Sequence, residues 1–192
     1  MLSRDWSERK PRYDFVVVGS GYGGAILASR ISGALNNPPR SVCILERGTE
    51  WAVGSFPDSL PEVSAAVRNP LINALGLYEY LDFSDIAVIK GSGLGGTSLI
   101  NANVAIVPDA EVFESGDWPG SITLGALLPY YQRAKKVLAA RPHPRATDLA
   151  KVQALDRRAQ EMGTQAQGLD LAVNFSIEGV NEHGVHQVPC TD

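Results

Sequence analysis

The sequence predicts an α/β fold built on a parallel sheet, and three stretches carry that prediction. Residues 13–18, YDFVVV, are an aromatic and β-branched run ending on Gly19, which reads as a strand buried on both faces that then turns out of its sheet. Residues 25–35, AILASRISGAL, place Ile26, Leu27, Ile31, Ala34 and Leu35 near one helical face and leave Ser29, Arg30 and Ser32 for water. Pro38 and Pro39 end that helix, because proline cannot continue it. Residues 41–45, SVCIL, are a second short apolar strand closed by Glu46, Arg47 and Gly48. Strand, helix and strand over about 35 residues make a βαβ unit with parallel strands.

Later elements are shorter and more interrupted. Pro57, Pro61 and Pro70 divide residues 49–83, which read as loop with one or two brief helices. Ile86–Ile89 is a strand candidate that runs into a glycine-rich stretch, GSGLGGTSLINANVAIV, at 91–107. Apolar residues at 127, 130, 131, 134, 137 and 138 mark a helix over 127–139. Val152, Leu155, Ala159 and Met162 mark another, with Gly163 as its stop. Leu171–Phe175 is a last strand candidate. Residues 1–12 form a polar extension and 13–192 one domain, of which 108–192 is the helical and loop region. Trp118 and Pro119 are read as fixing a turn, Cys43 as an inert strand residue, and His143 as part of a proline-flanked surface loop. Tyr130 and Tyr131 are read as helix face, and Lys135, Lys136, Arg157 and Arg158 as solvated.

Composition sets the outer limits. A chain that is 44% hydrophobic and 20% charged is globular in class. Seventeen basic against 21 acidic side chains, a net charge of -4, exclude a basic nucleic-acid footprint. Cys43 and Cys190 are too few for a disulfide framework. No run reaches the roughly 18 apolar residues of a membrane span, and the polar N-terminus lacks the apolar core of a secretory signal, so a cytoplasmic location is expected.

The chemistry lies in the glycines. Gly19, Gly21 and Gly24 follow a strand and open a helix. The first allows the tight turn, the second lets backbone approach a pyrophosphate, and the third packs helix on strand. Unpaired N–H groups and the helix dipole then favour the diphosphate. Glu46 ends the second strand, where this motif places an acid to accept from the adenosine ribose hydroxyls; Arg47 beside it leaves a 2'-phosphate as the other option. The run Gly91–Ser98 concentrates glycine where backbone must pass close to a ligand. Asn101 and Asn103 follow with amide donors and acceptors suited to a heteroaromatic ring. His183, His186 and Cys190 are scattered donors that fall short of a closed zinc site, so no metal is expected.

VVVGSGYGGAILASRIS, CILERG and GSGLGGTSLINANVAI together resemble the N-terminal FAD-binding portion of the glucose-methanol-choline oxidoreductases, most closely their cholesterol-oxidase-like branch. LLPYYQRAKKVL at 127–138 is similar to the helix that follows in that family. The resemblance implies a Rossmann-like FAD-binding fold, here incomplete, as the N-terminal part of a larger fold. It implies that Gly19, Gly21, Tyr22, Gly23 and Gly24 hold the FAD diphosphate and Glu46 the ribose. Gly95, Gly96, Asn101, Ala102 and Val104 would approach the diphosphate and the flavin ring. Some members attach FAD through a histidine in the second motif; none stands there in this sequence, so noncovalent FAD is expected. The implied activity is oxidation of the CH-OH group of a sterol-like or other bulky hydrophobic alcohol. The family's catalytic histidine lies near its far C-terminus, so no catalytic residue is expected in this chain, which alone should be inactive. A non-catalytic dinucleotide-binding module, or a subunit completed by a partner chain, stays open as the alternative.

Overall fold

The computed structural model describes residues 2–33, 40–52, 54–181, 184 and 186–190. The chain divides into two compact units, Met1–Asn101 and Ala102–Asp192.

In the first unit, β1 (Phe15–Val18) and β2 (Val42–Leu45) pair in parallel from Phe15 against Val42 to Val18 against Leu45, and α1 (Tyr22–Ile31) lies between them in sequence. The ladder continues one step past the strand, where the Gly19 N–H donates to the Leu45 carbonyl at 2.8 Å. Gly24 shows why helix and strand meet so closely: a Cβ there would lie 2.0 Å from the Gly19 carbonyl oxygen and 3.4 Å from Val17 Cγ1. Val17 therefore faces α1 and is 8% exposed, whereas Val18 on the opposite face is 84% exposed. The expectation of a strand buried on both faces is corrected. One helix covers one face of a two-stranded sheet, and among the described residues nothing covers the other.

α1 also departs from the expected 25–35. It begins at Tyr22, capped by Gly21, and stops at Ile31 because Gly33 takes a left-handed φ of 96°. Ala28 is its buried residue, and Ile26 and Leu27 are exposed, so the expected apolar face is not covered. Ala34, Leu35, Pro38 and Pro39 lie outside the described residues.

The segment read as loop and brief helices holds one short helix, α2 (Leu60–Ala65), and a strand that the sequence reading missed. Glu62 anchors the start of α2 by accepting from the Ser59 N–H at 3.2 Å and the Asp58 N–H at 3.1 Å. The missed strand, β3 (Tyr78–Asp82), forms an antiparallel hairpin with β4 (Ala87–Gly91), pairing Glu79 with Lys90. Ile86, expected in the strand, lies instead in the connection, where its carbonyl accepts from the Phe83 N–H at 3.0 Å. Glu79 gathers cations around this hairpin: Arg68 at 3.0 Å, Lys90 at 3.0 Å, and Arg47 from beyond β2. Leu77, fully buried, sits at the hairpin base beside buried Ala66.

The second unit contains α3 (Ala110–Glu114), α4 (Leu124–Leu138) and α5 (Ala150–Glu161). α4 begins one turn earlier than expected because the Thr123 hydroxyl caps it, accepting from the Ala126 N–H at 3.1 Å. α5 ends as expected at Gly163: the Thr164 N–H reaches the Ala159 carbonyl and the Gly163 N–H the Gln160 carbonyl. Two-residue strands complete the unit. β5 (Arg141–Pro142) pairs with β6 (Asp170–Leu171), and β7 (Gly179–Val180) with β8 (His186–Gln187), both antiparallel. The expected strand 171–175 thus shrinks to Asp170–Leu171. Lys135 is not merely solvated, since it pairs with Asp170, and Arg158 pairs with Glu161 at 2.9 Å. Trp118 packs against Phe113 with ring centroids 5.5 Å apart. His143 lies in a loop, as expected, but is half-buried, its ring edge-on to Phe175 at 4.9 Å.

Candidate functional site

The two glycine-rich turns meet in the first unit. Gly21 opens α1, and a Cβ on Gly96 would lie 2.9 Å from the Gly21 Cα, so the backbones touch without side chains between them. A second contact forms where β2 ends, since a Cβ on Gly48 would fall 2.4 Å from the Gly93 nitrogen. Alanine fits neither approach, which explains why glycines cluster at these points. Between the turns lies a cavity of about 380 Å³, lined among others by Gly19, Ser20, Gly21, Glu46, Ser92 and Gly96.

Glu46 is the acidic wall of that cavity. Its Oε2 accepts from the Ser20 N–H at 3.0 Å and the Ser20 hydroxyl at 2.6 Å, and its Oε1 accepts from the Gly48 N–H at 2.9 Å. Burial pushes the carboxyl pKa up, but the hydrogen bonds from Ser20 and Gly48 outweigh it and hold the group below its ordinary range. Glu46 is therefore ionised at neutral pH, and Oε1, with one N–H bound, retains room for another donor. Arg47, which also lines the cavity, has its guanidinium paired with Glu79. Ser92 is 3% exposed, its N–H donates to the Leu77 carbonyl at 2.8 Å, and its hydroxyl has no partner among the described residues. A buried hydroxyl without a partner beside a cavity is a place for a polar ligand atom.

The first unit contains nine of the eleven expected site residues: Gly19, Gly21, Tyr22, Gly23, Gly24, Glu46, Gly95, Gly96 and Asn101. The Asn101 side-chain amide donates to the Tyr22 hydroxyl, tying the second motif to the first turn of α1. Ala102 and Val104 open the second unit, where Val104 bridges Leu171. Ser20 and Ser92 are the site residues that sequence reasoning missed. The signal was present: both turns read G-S-G-x-G-G, at 19–24 and 91–96, and each missed serine is the second residue of its copy. No group of three or more metal-ligating side chains occurs among the described residues, and His183 lies outside them.

Comparison with known proteins gives a consistent set of relatives. No family profile matches the chain. A cholesterol oxidase of Mycobacterium tuberculosis is 30% identical over 156 residues, covering 80% of this chain and 26% of its own length. A cholesterol oxidase of Acinetobacter baumannii is 27% identical over 127 residues, covering 66% and 22%. An oxygen-dependent choline dehydrogenase of Staphylococcus saprophyticus is 30% identical over 142 residues, covering 68% and 24%. The chain thus spans about a quarter of the length of the curated relatives it matches. A crystal structure of formate oxidase matches 62% of this chain at 27% identity with a TM-score of 0.38, too low to assign a fold. No helix among the described residues is long and apolar enough to cross a membrane.

Proposed function

The chain belongs to the glucose-methanol-choline oxidoreductases as an N-terminal portion, and from that premise we propose that it holds the FAD of an enzyme that oxidises the CH-OH group of an alcohol. One observation carries the reading: two G-S-G-x-G-G turns face each other across one cavity with an ionised carboxylate in its wall. The residues fit a dinucleotide. The backbone contact at Gly96 keeps side chains out of the space, Glu46 keeps an acceptor for a ribose hydroxyl, and Ser92 offers a buried hydroxyl with no other partner.

In this reading the N–H groups opening α1 at Gly21, Tyr22, Gly23 and Gly24 hold the diphosphate, and Glu46 fixes the adenosine ribose. Gly95, Gly96 and Asn101 border the cofactor from the second motif, and the family resemblance assigns Ala102 and Val104 to the flavin ring. Binding is noncovalent. FAD, when bound, accepts a hydride equivalent; the chain's part is to bind and orient it. Cholesterol oxidases among the relatives favour a sterol-like or other bulky hydrophobic alcohol as substrate. Because the chain spans about a quarter of those relatives, the catalytic base is assigned elsewhere and residues 1–192 alone are expected to turn over no alcohol.

A subunit completed by a partner chain is a second reading, favoured by the uncovered Val16 and Val18 face of β1. Equilibrium titration of the full 192-residue chain with FAD and with NAD tests the cofactor assignment. Quenching of flavin fluorescence with saturation by FAD, and no competition by NAD, is the expected result; equal or tighter NAD binding, or no binding of either, would overturn it.

A further inference from the structure

We propose that Ser20 is the positioning residue of this site, joining the first glycine turn, the second glycine turn and Glu46 through one side chain. It is the residue between Gly19 and Gly21, and it is 3% exposed. Its hydroxyl has one proton to give. The Glu46 Oε2, charged and 2.6 Å away, takes it in preference to the Gly93 carbonyl at 3.4 Å. The hydroxyl oxygen then accepts from the Gly95 N–H at 2.9 Å, a contact spanning 75 residues of sequence. The Ser20 N–H adds a second donor to the same carboxylate oxygen, at 3.0 Å.

Each end of this relay sets something the cavity needs. At one end, the two donors from Ser20 fix Oε2 of the Glu46 carboxylate, so that Oε1, which accepts from the Gly48 N–H, is the oxygen turned to a ligand. At the other, the bond to Gly95 holds a loop whose next residue, Gly96, approaches the Gly21 Cα. Glycine at 95 and 96 takes left-handed φ values of 114° and 62°, conformations that supply no rigidity of their own. Within the loop the Gly96 N–H donates to the Gly93 carbonyl at 2.8 Å and the Ser98 hydroxyl to the Gly95 carbonyl at 2.8 Å, and the Leu94 N–H reaches the Thr49 carbonyl at 2.9 Å; the Ser20 contact ties this loop to the first glycine turn. Alanine at 20 would leave the part-buried Gly95 N–H without its acceptor and remove one of the two donors to Glu46 Oε2.

The purpose assigned to Ser20 rests on the dinucleotide reading above, so the test separates the two. Amide hydrogen exchange of the full chain without cofactor reads the relay itself. The Gly95 amide is expected to be protected in the wild type, exposed in Ser20→Ala, and protected again in Ser20→Thr, which restores a hydroxyl. FAD titration of the same proteins reads the consequence: a loss of affinity of about tenfold to a hundredfold in Ser20→Ala, from one part-buried donor left unpaired, with recovery in Ser20→Thr. A double-mutant cycle with Glu46→Gln should be non-additive, because the two changes share a hydrogen bond. Ser20→Cys, close to serine in size, provides the same comparison if Ser20→Ala does not fold. Gly95 protection or FAD affinity in folded Ser20→Ala or Ser20→Cys equal to wild type would overturn the proposal. A wild-type chain that protects Gly95 but binds no FAD would overturn the cofactor reading and leave the relay standing.

Discussion

Replacing Gly96 by alanine should weaken cofactor binding through two separable effects. The first is local strain: Gly96 sits at φ 62°, and an alanine held in the left-handed region costs about 1–2 kcal/mol. The second is contact, because the new Cβ would lie 2.9 Å from Gly21 Cα and 3.4 Å from Gly21 N. Carbon atoms settle at about 3.5–4.0 Å, so the two turns must part by roughly 0.5–1 Å. The atom met is backbone that opens α1, so the displacement moves the N–H groups assigned to the diphosphate. Gly116→Ala isolates the first effect, having a left-handed φ of 84° and nothing within 4 Å of the added Cβ. Urea unfolding of both variants should show a loss of about 1–2 kcal/mol for Gly116→Ala and about 1–3 kcal/mol for Gly96→Ala. FAD affinity should fall about tenfold or more only in Gly96→Ala. A folded Gly96→Ala that binds FAD as the wild type does would refute the claim that the two turns form one site.

Other outcomes follow from the charges. Glu46→Gln substitutes an amide for a carboxylate that accepts three hydrogen bonds, so it should cost about 1–3 kcal/mol in urea unfolding and weaken FAD binding. The Glu46 pKa is lowered in the fold, so its contribution is complete above the ordinary carboxylate value and lost as pH falls through the lower folded value; FAD affinity measured against pH should decline only on that acid side, and a decline starting near neutrality would contradict it. Glu79→Gln strips Arg68, Lys90 and Arg47 of their shared anion; allowing for the exposure of Lys90 and Arg47, a loss of about 1–2 kcal/mol is expected, smaller in high salt, and a salt-independent change would count against an ionic cause. Glu50 accepts from the Leu2 and Ser3 N–H groups and the Ser3 hydroxyl, which lower its pKa from 4.5 to about 2. This N-terminal clasp is at full strength above about pH 4.5 and released toward pH 2, so the Leu2 and Ser3 amide resonances should hold their positions from neutrality to that point and shift below it.

The βαβ unit was legible because local cues agreed: YDFVVV and SVCIL are apolar and β-branched, and glycines mark the turn between strand and helix. The burial of β1 was not, since an unbroken apolar run states what a strand tolerates and not what the rest of the structure lays against it. β3 was hidden by Glu79, a charge at the second position of YEYLD whose partners Arg47, Arg68 and Lys90 come together only in three dimensions. Within the site, the glycines and Glu46 announced themselves by spacing. Ser20 and Ser92 read as spacers between glycines, and their importance comes from burial and from partners gained or lacking, which no linear pattern encodes.

The central claim is that both glycine turns and Glu46 bound one dinucleotide site. Residue-resolved NMR of the isotopically labelled chain during FAD titration tests it most directly. Amides of Gly19–Gly24, Glu46 and Ser92–Gly96 should shift together along one saturating curve. Shifts confined to one turn, or centred on the separate cavity of about 560 Å³ lined by Trp51, Phe56 and Leu75, would contradict it.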